Sequence, residues 1–315
     1  MKLIKKTIRI LLISFFILVV LVYAFFGYND KSVEDLKSQY APTPSAFLEI
    51  EGMNVHYRDE GNATDSLPLV LIHGTGSSLH TFDAWTEALK SQKRIVRMDI
   101  PGFGLTGPFL NRDYSIDHYT TFIEEFLTKR GIKRCILAGN SLGGQIAWAF
   151  TVKYGDRVEK LVLIDAAGYP LDSKSVPIAF VLARQPIANK LLTFITPYFL
   201  AKSSIENIYA DKSKVTEALV KRYFDLTLRA GNRQAFVDRL TAVYDTSQLP
   251  QIRHIQQRTL LLWGEEDNLI PLSNATRFHA DLPNDTLVIL PHVGHVPMEE
   301  SPKESLAALL AFLKG

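Results

Sequence analysis

Short apolar runs and helical patterns alternate along most of the chain. The runs that predict buried strands are Leu69–Ile72, Ile95–Met98, Cys135–Ala138, Leu161–Ile164, Leu260–Trp263 and Leu287–Leu290. Helical patterns lie between or after them at Thr81–Leu89, Ile116–Lys129, Leu142–Tyr154, Ser273–Ala280 and Pro302–Leu313. Before them, Phe47–Glu51 and Asn54–Arg58 alternate in polarity on either side of Gly52, which is typical of a β-hairpin. The alternation favours an α/β fold whose mostly parallel sheet carries helices on both faces and begins with an antiparallel hairpin.

One segment interrupts this alternation. About 95 residues separate the run ending at Ile164 from the run beginning at Leu260, where a single crossover helix would suffice. They contain helical patterns at Ile178–Leu200, with internal prolines, at Ser213–Leu228 and at Asn232–Tyr244. We therefore predict an inserted helical cap at about residues 168–250, at the end of the sheet where such folds place specificity. The first pattern is apolar around most of its circumference, which is more than a helix needs to pack within the cap. It therefore indicates a second apolar surface that faces the substrate pocket or the nearby bilayer, and the alternative is that these residues only pack the cap onto itself.

The N-terminal pattern differs from the rest. Residues Ile10–Tyr28 carry no charge and would span roughly 28 Å as a helix, close to the bilayer core of about 30 Å. Residues 1–9 are basic, which places them in the cytoplasm and the remainder on the extracytoplasmic side, periplasmic or extracellular. We therefore expect a transmembrane signal-anchor at 10–28, a polar linker at 29–45 and the folded domain at 46–315. A cleaved signal peptide and a buried helix are the alternatives.

Composition narrows the possible partners. The chain has 315 residues, 47% of them hydrophobic, and a formal net charge of +2 without a basic block interleaved with aromatics. Nucleic acid is therefore not an expected partner. The single cysteine, Cys135, excludes an internal disulfide and a cysteine-based metal cluster. Neither a GxGxxG motif nor a Walker lysine is present, so we expect no cofactor and no metal.

A serine lies where one strand turns into a helix. Ser141 stands at the centre of Gly139–Gly143, directly after the run Cys135–Ala138. A tight turn there lifts the hydroxyl out of the sheet, and the following helix N-terminus offers free N–H groups. The loop His-Gly-Thr-Gly after an earlier strand could pair the N–H of Thr75 with that of Leu142 to hold an oxyanion. The alternative is an ordinary turn in which serine caps the helix.

Two later strands end in groups that could complete a catalytic triad. Leu262–Asp267 reads as a strand that ends in a carboxylate loop, and His295 follows the last strand within Pro291–Pro297. Nucleophile, acid and base therefore occur in the order Ser, Asp, His, each at the carboxyl end of a strand.

The motifs HGTG, DIPGFG, GNSLGG, WGEED and GH followed by EESP resemble those of the α/β-hydrolase superfamily in order and spacing. The resemblance extends over residues 47–315. It implies that Ser141 is the nucleophile, His295 the general base and Asp267 the acid that orients the imidazole. It also implies that the N–H groups of Thr75 and Leu142 form the oxyanion hole.

Several of these assignments have competitors in the sequence. His292 shares the last loop with His295, while Glu266 adjoins Asp267 and Asp165 ends an earlier strand, a position that some relatives use for the acid. His73 fits a role in fixing the HGTG loop by hydrogen bonds better than a role in chemistry. Asp99 and the glycines of DIPGFG fit a structural role.

A serine nucleophile limits the reactions that the protein is expected to catalyse. An activated serine attacks a carbonyl and forms an acyl-enzyme that water cleaves. The main prediction is a membrane-anchored serine hydrolase that cleaves carboxylic esters with an apolar acyl group, including lipid-like esters or lactones. The alternatives are a C–C bond hydrolase of the kind that acts on vinylogous ring-cleavage ketones, a haloperoxidase-like acyl transferase, and a ligand-binding module without turnover. Relatives that open epoxides or displace halide resemble this chain but place Asp where it has Ser141, which argues against those activities.

Overall fold

The computed structural model describes residues 2–243 and 245–314. Tyr244 within the predicted cap, and Met1 and Gly315 at the ends of the predicted segments, lie outside the described residues. The strands are β1 (Ala46–Ile50), β2 (Met53–Gly61), β3 (Leu69–Ile72), β4 (Arg94–Met98), β5 (Cys135–Asn140), β6 (Val158–Ile164), β7 (Arg258–Gly264) and β8 (Asp285–Leu290). They form one sheet in the order β1-β2-β4-β3-β5-β6-β7-β8. β2 pairs antiparallel with β1 and β4, and the remaining pairs are parallel.

Helices precede, separate and follow the strands along the chain. They are α1 (Lys2–Phe26), α2 (Val33–Tyr40), α3 (Asp83–Leu89), α4 (Ile116–Lys129), α5 (Leu142–Lys153), α6 (Ile178–Ala183), α7 (Ala188–Leu192), α8 (Tyr198–Ile208), α9 (Glu217–Thr227), α10 (Asn232–Thr241), α11 (Leu272–Asp281), α12 (Pro297–Glu300) and α13 (Pro302–Lys314). Short 3-10 turns precede α3 and β7 and lie between α5 and β6 and between α8 and α9. The predicted mostly parallel sheet with an antiparallel start is confirmed.

The central strands are buried on both faces, so side chains alternate between two cores. On β3, Val70 and Ile72 belong to one apolar cluster, whereas Leu69 and Leu71 belong to the other. Helices α4, α5 and α11 cover the first face, and α3 and α13 cover the second. This alternation is the reason why the strands read as continuous apolar runs rather than as alternating ones.

The described residues between β6 and β7 contain five α-helices, α6–α10, which we call the cap. The predicted long helix Ile178–Leu200 is divided into α6, α7 and the start of α8 because Pro186 and Pro197 interrupt it. The boundaries of the cap at about 168–250 remain a prediction.

Residues 27–45, which we call the strap, differ from the predicted linker. The Ser32 hydroxyl accepts from the Asp35 N–H at the start of α2, and the Ser32 N–H donates to the Asp35 carboxylate, which completes a capping box. Leu36 and Tyr40 of α2 are buried against Leu105 and Leu226. The strap is therefore packed against the domain rather than extended away from it.

Polar contacts hold the strap against the cap at one end and against the sheet at the other. Lys31 pairs with Asp225 of α9 at 2.8 Å, and the Tyr40 hydroxyl donates to the same carboxylate at 2.7 Å. At the other end of the strap, the Ser45 hydroxyl lies 2.9 Å from His56 Nε2 in β2. Because these partners are distant in sequence, the local pattern of residues 29–45 does not reveal them.

The transmembrane anchor predicted over Ile10–Tyr28 is wrong. Helix α1 ends at Phe26, where Gly27 pairs with Ile195 of the cap. Since the last charge of its first turns is at Arg9, its uncharged part is about 17 residues, or about 25 Å, shorter than a bilayer core of about 30 Å. Among the residues that the structure describes, no helix is both long enough and apolar enough to span a membrane. The topology that depended on this anchor, with residues 1–9 cytoplasmic and the domain extracytoplasmic, is overturned with it.

Candidate active site

Ser141 occupies a strained turn between β5 and α5. Its φ of 56° lies in the left-handed region, which is costly for a residue other than glycine and is typical of functional sites. Its N–H donates to Ile164 O, and its own carbonyl accepts from Gln145 and Ala167. A Cβ on Gly143 would stand 2.2 Å from Ile72 O, so glycine is required two residues after Ser141.

His295 and Asp267 meet at the same end of the sheet. His295 Nδ1 lies 2.7 Å from Asp267 Oδ2, and both side chains are almost completely buried. Asp267 Oδ1 also accepts from the N–H groups of Leu269 and Ile270, at 2.8 and 3.0 Å. With its hydrogen on Nδ1 facing the carboxylate, His295 keeps Nε2 free to accept a proton.

Ser141 and His295 line one cavity. Within the described part of the chain, no hydrogen bond joins the Ser141 hydroxyl to the His295 ring. Such contacts are often long without substrate and shorten when substrate binds.

The HGTG loop passes directly over the nucleophile. A Cβ on Gly74 would stand 2.9 Å from the Cβ of Ser141, and Thr75 lines the cavity beside it. Leu142 begins α5 and is buried, so its N–H lies at the helix N-terminus while its side chain packs in the core. Over the described ranges, neither the Thr75 N–H nor the Leu142 N–H is a donor to another backbone group. The assignment of these two N–H groups to an oxyanion hole stays a prediction.

His73 serves the loop rather than the cavity. The ring is fully buried, and Nδ1 donates to Gly74 O at 2.8 Å while Nε2 accepts from the Ile100 N–H at 3.1 Å. Burial lowers the pKa of His73, although the charge of Asp99 opposes this shift. A neutral imidazole that bridges two loops agrees with the structural role expected for it.

Two of the competing residues pair with each other at the surface. His292 Nδ1 lies 3.0 Å from Glu266 Oε1, and the two side chains are 88% and 48% exposed. Neither residue is among those that line the cavity in the described part of the chain. Their exposed position argues against roles as the acid and base that serve Ser141.

The third competitor, Asp165, lies behind the triad. Its side chain is fully buried, and one oxygen each of Asp165 and Asp267 lies within 4.8 Å of the other and of a His295 ring nitrogen. Asp165 Oδ1 accepts from the Gly264 N–H at 2.9 Å. Burial, followed by the charge of Asp267, raises the pKa of Asp165 well above its usual value.

Asn140 is a positioning residue that the sequence reasoning missed. Its Nδ2 donates to the carbonyls of His295 and Ile164, at 3.0 and 3.2 Å. The residue before Ser141 thereby ties the loop of the base to the turn of the nucleophile. The motif Gly-Asn-Ser-Leu-Gly contains this residue, but only the sheet order brings His295 beside it.

The cap forms much of the cavity wall above Ser141, and the lining is mostly apolar. The cavity has a volume of about 150 Å³. The apolar residues that the cap contributes to its wall are Pro177, Ala179, Phe180, Leu192, Leu200, Ala201, Ile205, Ile208, Leu226 and Phe236. Other apolar cap residues, such as Leu191, Phe194 and Phe199, are exposed instead of lining the cavity. The described lining contains one Lys or Arg side chain, Arg233, and no Asp or Glu.

The charge of Arg233 is balanced by the strap. Its Nη2 donates to Asp30 Oδ1 at 2.6 Å and to Tyr28 O at 2.9 Å. Its Nη1 donates to Thr196 Oγ1 at 3.4 Å. The strap therefore contributes to the electrostatics of the cavity wall through Asp30, although it is remote from Ser141 in sequence.

Comparison with known proteins gives a consistent family assignment. The model of the alpha/beta hydrolase family matches residues 69–309, which include Ser141, Asp267 and His295. A 2-hydroxy-6-oxononadienedioate/2-hydroxy-6-oxononatrienedioate hydrolase from Burkholderia vietnamiensis is 28% identical over 83% of this chain and 91% of that protein.

Solved structures resemble the chain over most of its length. A mutant meta-cleavage product hydrolase from Pseudomonas fluorescens has a TM-score of 0.72 and 24% identity, covering 86% of this chain and 97% of that one. This identity is low enough that the likeness concerns the fold alone. A membrane phospholipase A described as a bacterial virulence factor has a TM-score of 0.69 and 26% identity, covering 100% of this chain and 99% of that one.

Proposed function

The chain belongs to the alpha/beta hydrolase family, and we propose that it is a serine hydrolase in which Ser141 attacks a carbonyl carbon and His295 serves as the base. The observation that supports this most strongly is that the strained Ser141 turn, the HGTG loop and His295, which is paired with Asp267, lie at one cavity. The bond that it cleaves has two candidates, a C–C bond and a carboxylic ester.

The same steps serve both candidates. The Ser141 hydroxyl passes its proton to His295 Nε2 as Oγ bonds to the carbonyl carbon, and the N–H groups of Thr75 and Leu142 hold the oxyanion. Asp267 stabilises the imidazolium that forms. The leaving group departs with the proton held by His295, and water activated by the same imidazole releases the acid from Ser141. The net reaction consumes one water.

A C–C bond hydrolase is the first candidate, because relatives at 27–29% identity carry the names of such enzymes. A C–C bond to a carbonyl breaks only when the departing carbanion is stabilised, as it is in a vinylogous ketone. Such a ring-cleavage ketone also carries a carboxylate. Arg233 is the cation in the described cavity lining that could meet it, in competition with Asp30.

An ester hydrolase is the second candidate, and the cavity favours it. The lining is mostly apolar, and its one Arg is already neutralised by Asp30. A long uncharged acyl chain suits such a wall, since each buried CH₂ contributes about 0.8 kcal/mol. A phospholipase A, to which the chain is similar at 26% identity, also cleaves carboxylic esters.

Paired substrates test the proposal. The purified chain would be given a 2-hydroxy-6-oxo-dienoate with an uncharged distal group and a p-nitrophenyl ester series of increasing acyl length. Ser141→Ala should abolish turnover of the preferred class and labelling by a fluorophosphonate. A much higher kcat/KM for the dienoate than for any ester would support a C–C bond hydrolase. A much higher kcat/KM for an ester than for the dienoate would support an ester hydrolase. Labelling or turnover that persists in Ser141→Ala would refute the assignment of the nucleophile.

A further inference from the structure

Three buried acids lie close to the loop that carries His295. Asp165 follows β6, Asp267 follows β7 and Glu300 ends α12, and each is at most 2% exposed. The ring of His295 lies against Asp267 and within 4.8 Å of Asp165. Within the described ranges, none of the three acids forms an ion pair with Lys or Arg. Three negative charges here would face at most one positive charge, which a dry site cannot support.

The three acids differ in the donors that they receive. Glu300 accepts from the N–H groups of Asp211 and Gly294, at 2.8 and 2.7 Å. Asp267 accepts from two backbone N–H groups and from His295.

Asp165 is the least satisfied of the three. It accepts from one N–H group, that of Gly264, while its Oδ2 is buried with no donor among the described residues. One carboxyl oxygen of Asp165 lies within 4.8 Å of one of Asp267, and two like charges at this distance in a buried site repel each other unless a proton lies between them. Asp165 is therefore the acid whose negative charge the site stabilises least.

We propose that Asp165 is protonated at neutral pH and donates a hydrogen bond from Oδ2 to the carboxylate of Asp267. This role as a positioning residue rests on the proposed function of Asp267 as the acid of the triad. A neutral Asp165 gives Asp267 a further donor and fixes its orientation toward His295. It also keeps a single negative charge behind the imidazole. An ionised Asp165 would instead act as a second acid.

Two substitutions separate these possibilities. Asp165→Asn keeps the pattern of a protonated acid, because its carbonyl can accept from Gly264 and its amide can donate to Asp267. Asp165→Leu keeps a similar volume and removes the donor. We expect kcat/KM to fall about tenfold in the Leu variant, the equivalent of one lost hydrogen bond, and the Asn variant to recover most of this loss.

The pH profile distinguishes positioning from a general structural effect. Asp165→Asn should leave the acidic limb of kcat/KM, where His295 becomes protonated, at the wild-type pH. If Asp165 were ionised, removing its charge would take a negative neighbour away from the protonated base and move this limb to lower pH. Glu265→Gln, which removes an exposed carboxylate near Asp267, is the matched control and should change neither limb.

A measurement without turnover tests the proton directly. An unfolded Asp loses its proton near pH 4, so between that pH and the higher folded-state value the folded protein holds one proton more. Wild-type stability should therefore fall relative to Asp165→Asn as pH rises through this window, by up to tenfold in the unfolding equilibrium constant per pH unit. A difference that does not change with pH would overturn the proposal.

Infrared spectroscopy provides the same test on the unaltered protein. Wild type at neutral pH should show a carbonyl band of a protonated carboxylic acid that shifts on ¹³C labelling of Asp and is absent in Asp165→Asn. Should that variant fail to fold, the labelled wild type still decides, and absence of the band overturns the proposal. An inactive wild type that shows the band would contradict the proposed function and leave the protonation of Asp165 intact.

Discussion

The ion pair between Asp30 and Arg233 determines which substrate charge we expect the cavity to accept. Arg233 is 7% exposed in the cavity wall, while the Asp30 side chain that neutralises it from the strap is 44% exposed. Asp30→Asn removes the negative charge with little change in shape and leaves the guanidinium for the substrate. We expect the variant to favour substrates whose distal end carries a carboxylate.

The size of this shift follows from the geometry. Two unit charges at about 4 Å interact with about 4 kcal/mol at an effective dielectric constant of 20. Solvent reaches the position of Asp30, and a bound carboxylate loses its hydration, so we expect about 1 to 2 kcal/mol of this to remain. That corresponds to roughly a 5- to 30-fold gain in relative kcat/KM.

The assay compares two substrates that share the scissile group and length and differ only in a methyl or carboxylate terminus. The ratio of their kcat/KM values should move toward the carboxylate in Asp30→Asn. Adding Arg233→Met should remove the gain. Glu34→Gln, which neutralises an exposed acid of the same strap, should leave the ratio unchanged. A ratio that stays constant in Asp30→Asn, or an equal loss for both substrates, would mean that Arg233 does not face the distal end of the substrate.

Three further substitutions test the site. Asp267→Asn should lower kcat by about 10⁴-fold, because the imidazole loses the partner that sets its tautomer; Glu266→Gln should stay near wild type, and equal losses in the two would refute the choice of acid. Gly143→Ala should lower the free energy of unfolding by at least about 2 kcal/mol, because the new Cβ would stand 2.2 Å from Ile72 O. Thermal unfolding of the variant and the wild type measures this difference. Ser45→Ala should keep full fluorophosphonate labelling, and loss of labelling would contradict the assignment of the nucleophile.

The strand ends could be predicted because parallel strands place their carboxyl ends at one edge of the sheet. Ser141, Asp165, Asp267 and His295 each follow a strand, and the order β5-β6-β7-β8 makes those strands neighbours. The contact between Asp165 and Asp267 depends on that order, which the sequence pattern alone leaves open. The two residues therefore entered the sequence analysis as competitors for one role.

The packing of the strap and the point at which α1 ends could not be predicted for a different reason. The eight residues of α2 are too few for a periodic pattern, and the buried Leu36 and Tyr40 find their partners on the cap and core. The charge-free run Ile10–Tyr28 gives no sign that the chain turns at Gly27 to pair with Ile195. Composition measures how apolar a segment is, whereas the point at which its helix ends depends on distant contacts.

A second row of serine, histidine and aspartate shows that distances alone do not make an active site. Asp99 Oδ2 lies 2.7 Å from His56 Nδ1, and His56 Nε2 lies 2.9 Å from Ser45 Oγ. Ser45 Oγ also accepts from Arg58 Nε at 2.9 Å, so a lone pair that would attack a carbonyl is engaged. Ser45 is absent from the cavity lining in the described residues, and it begins a strand rather than a helix.

Free N–H groups at a helix start therefore face Ser141 and not Ser45. A carbonyl carbon needs space beside the hydroxyl, and its oxygen needs donors that are not already bonded to the protein. The turn between β5 and α5 supplies both, because it lifts Ser141 above the sheet at the point where the cap leaves a cavity. The row at Ser45 instead joins the end of the strap to β2, and its hydrogen bonds contribute to the fold.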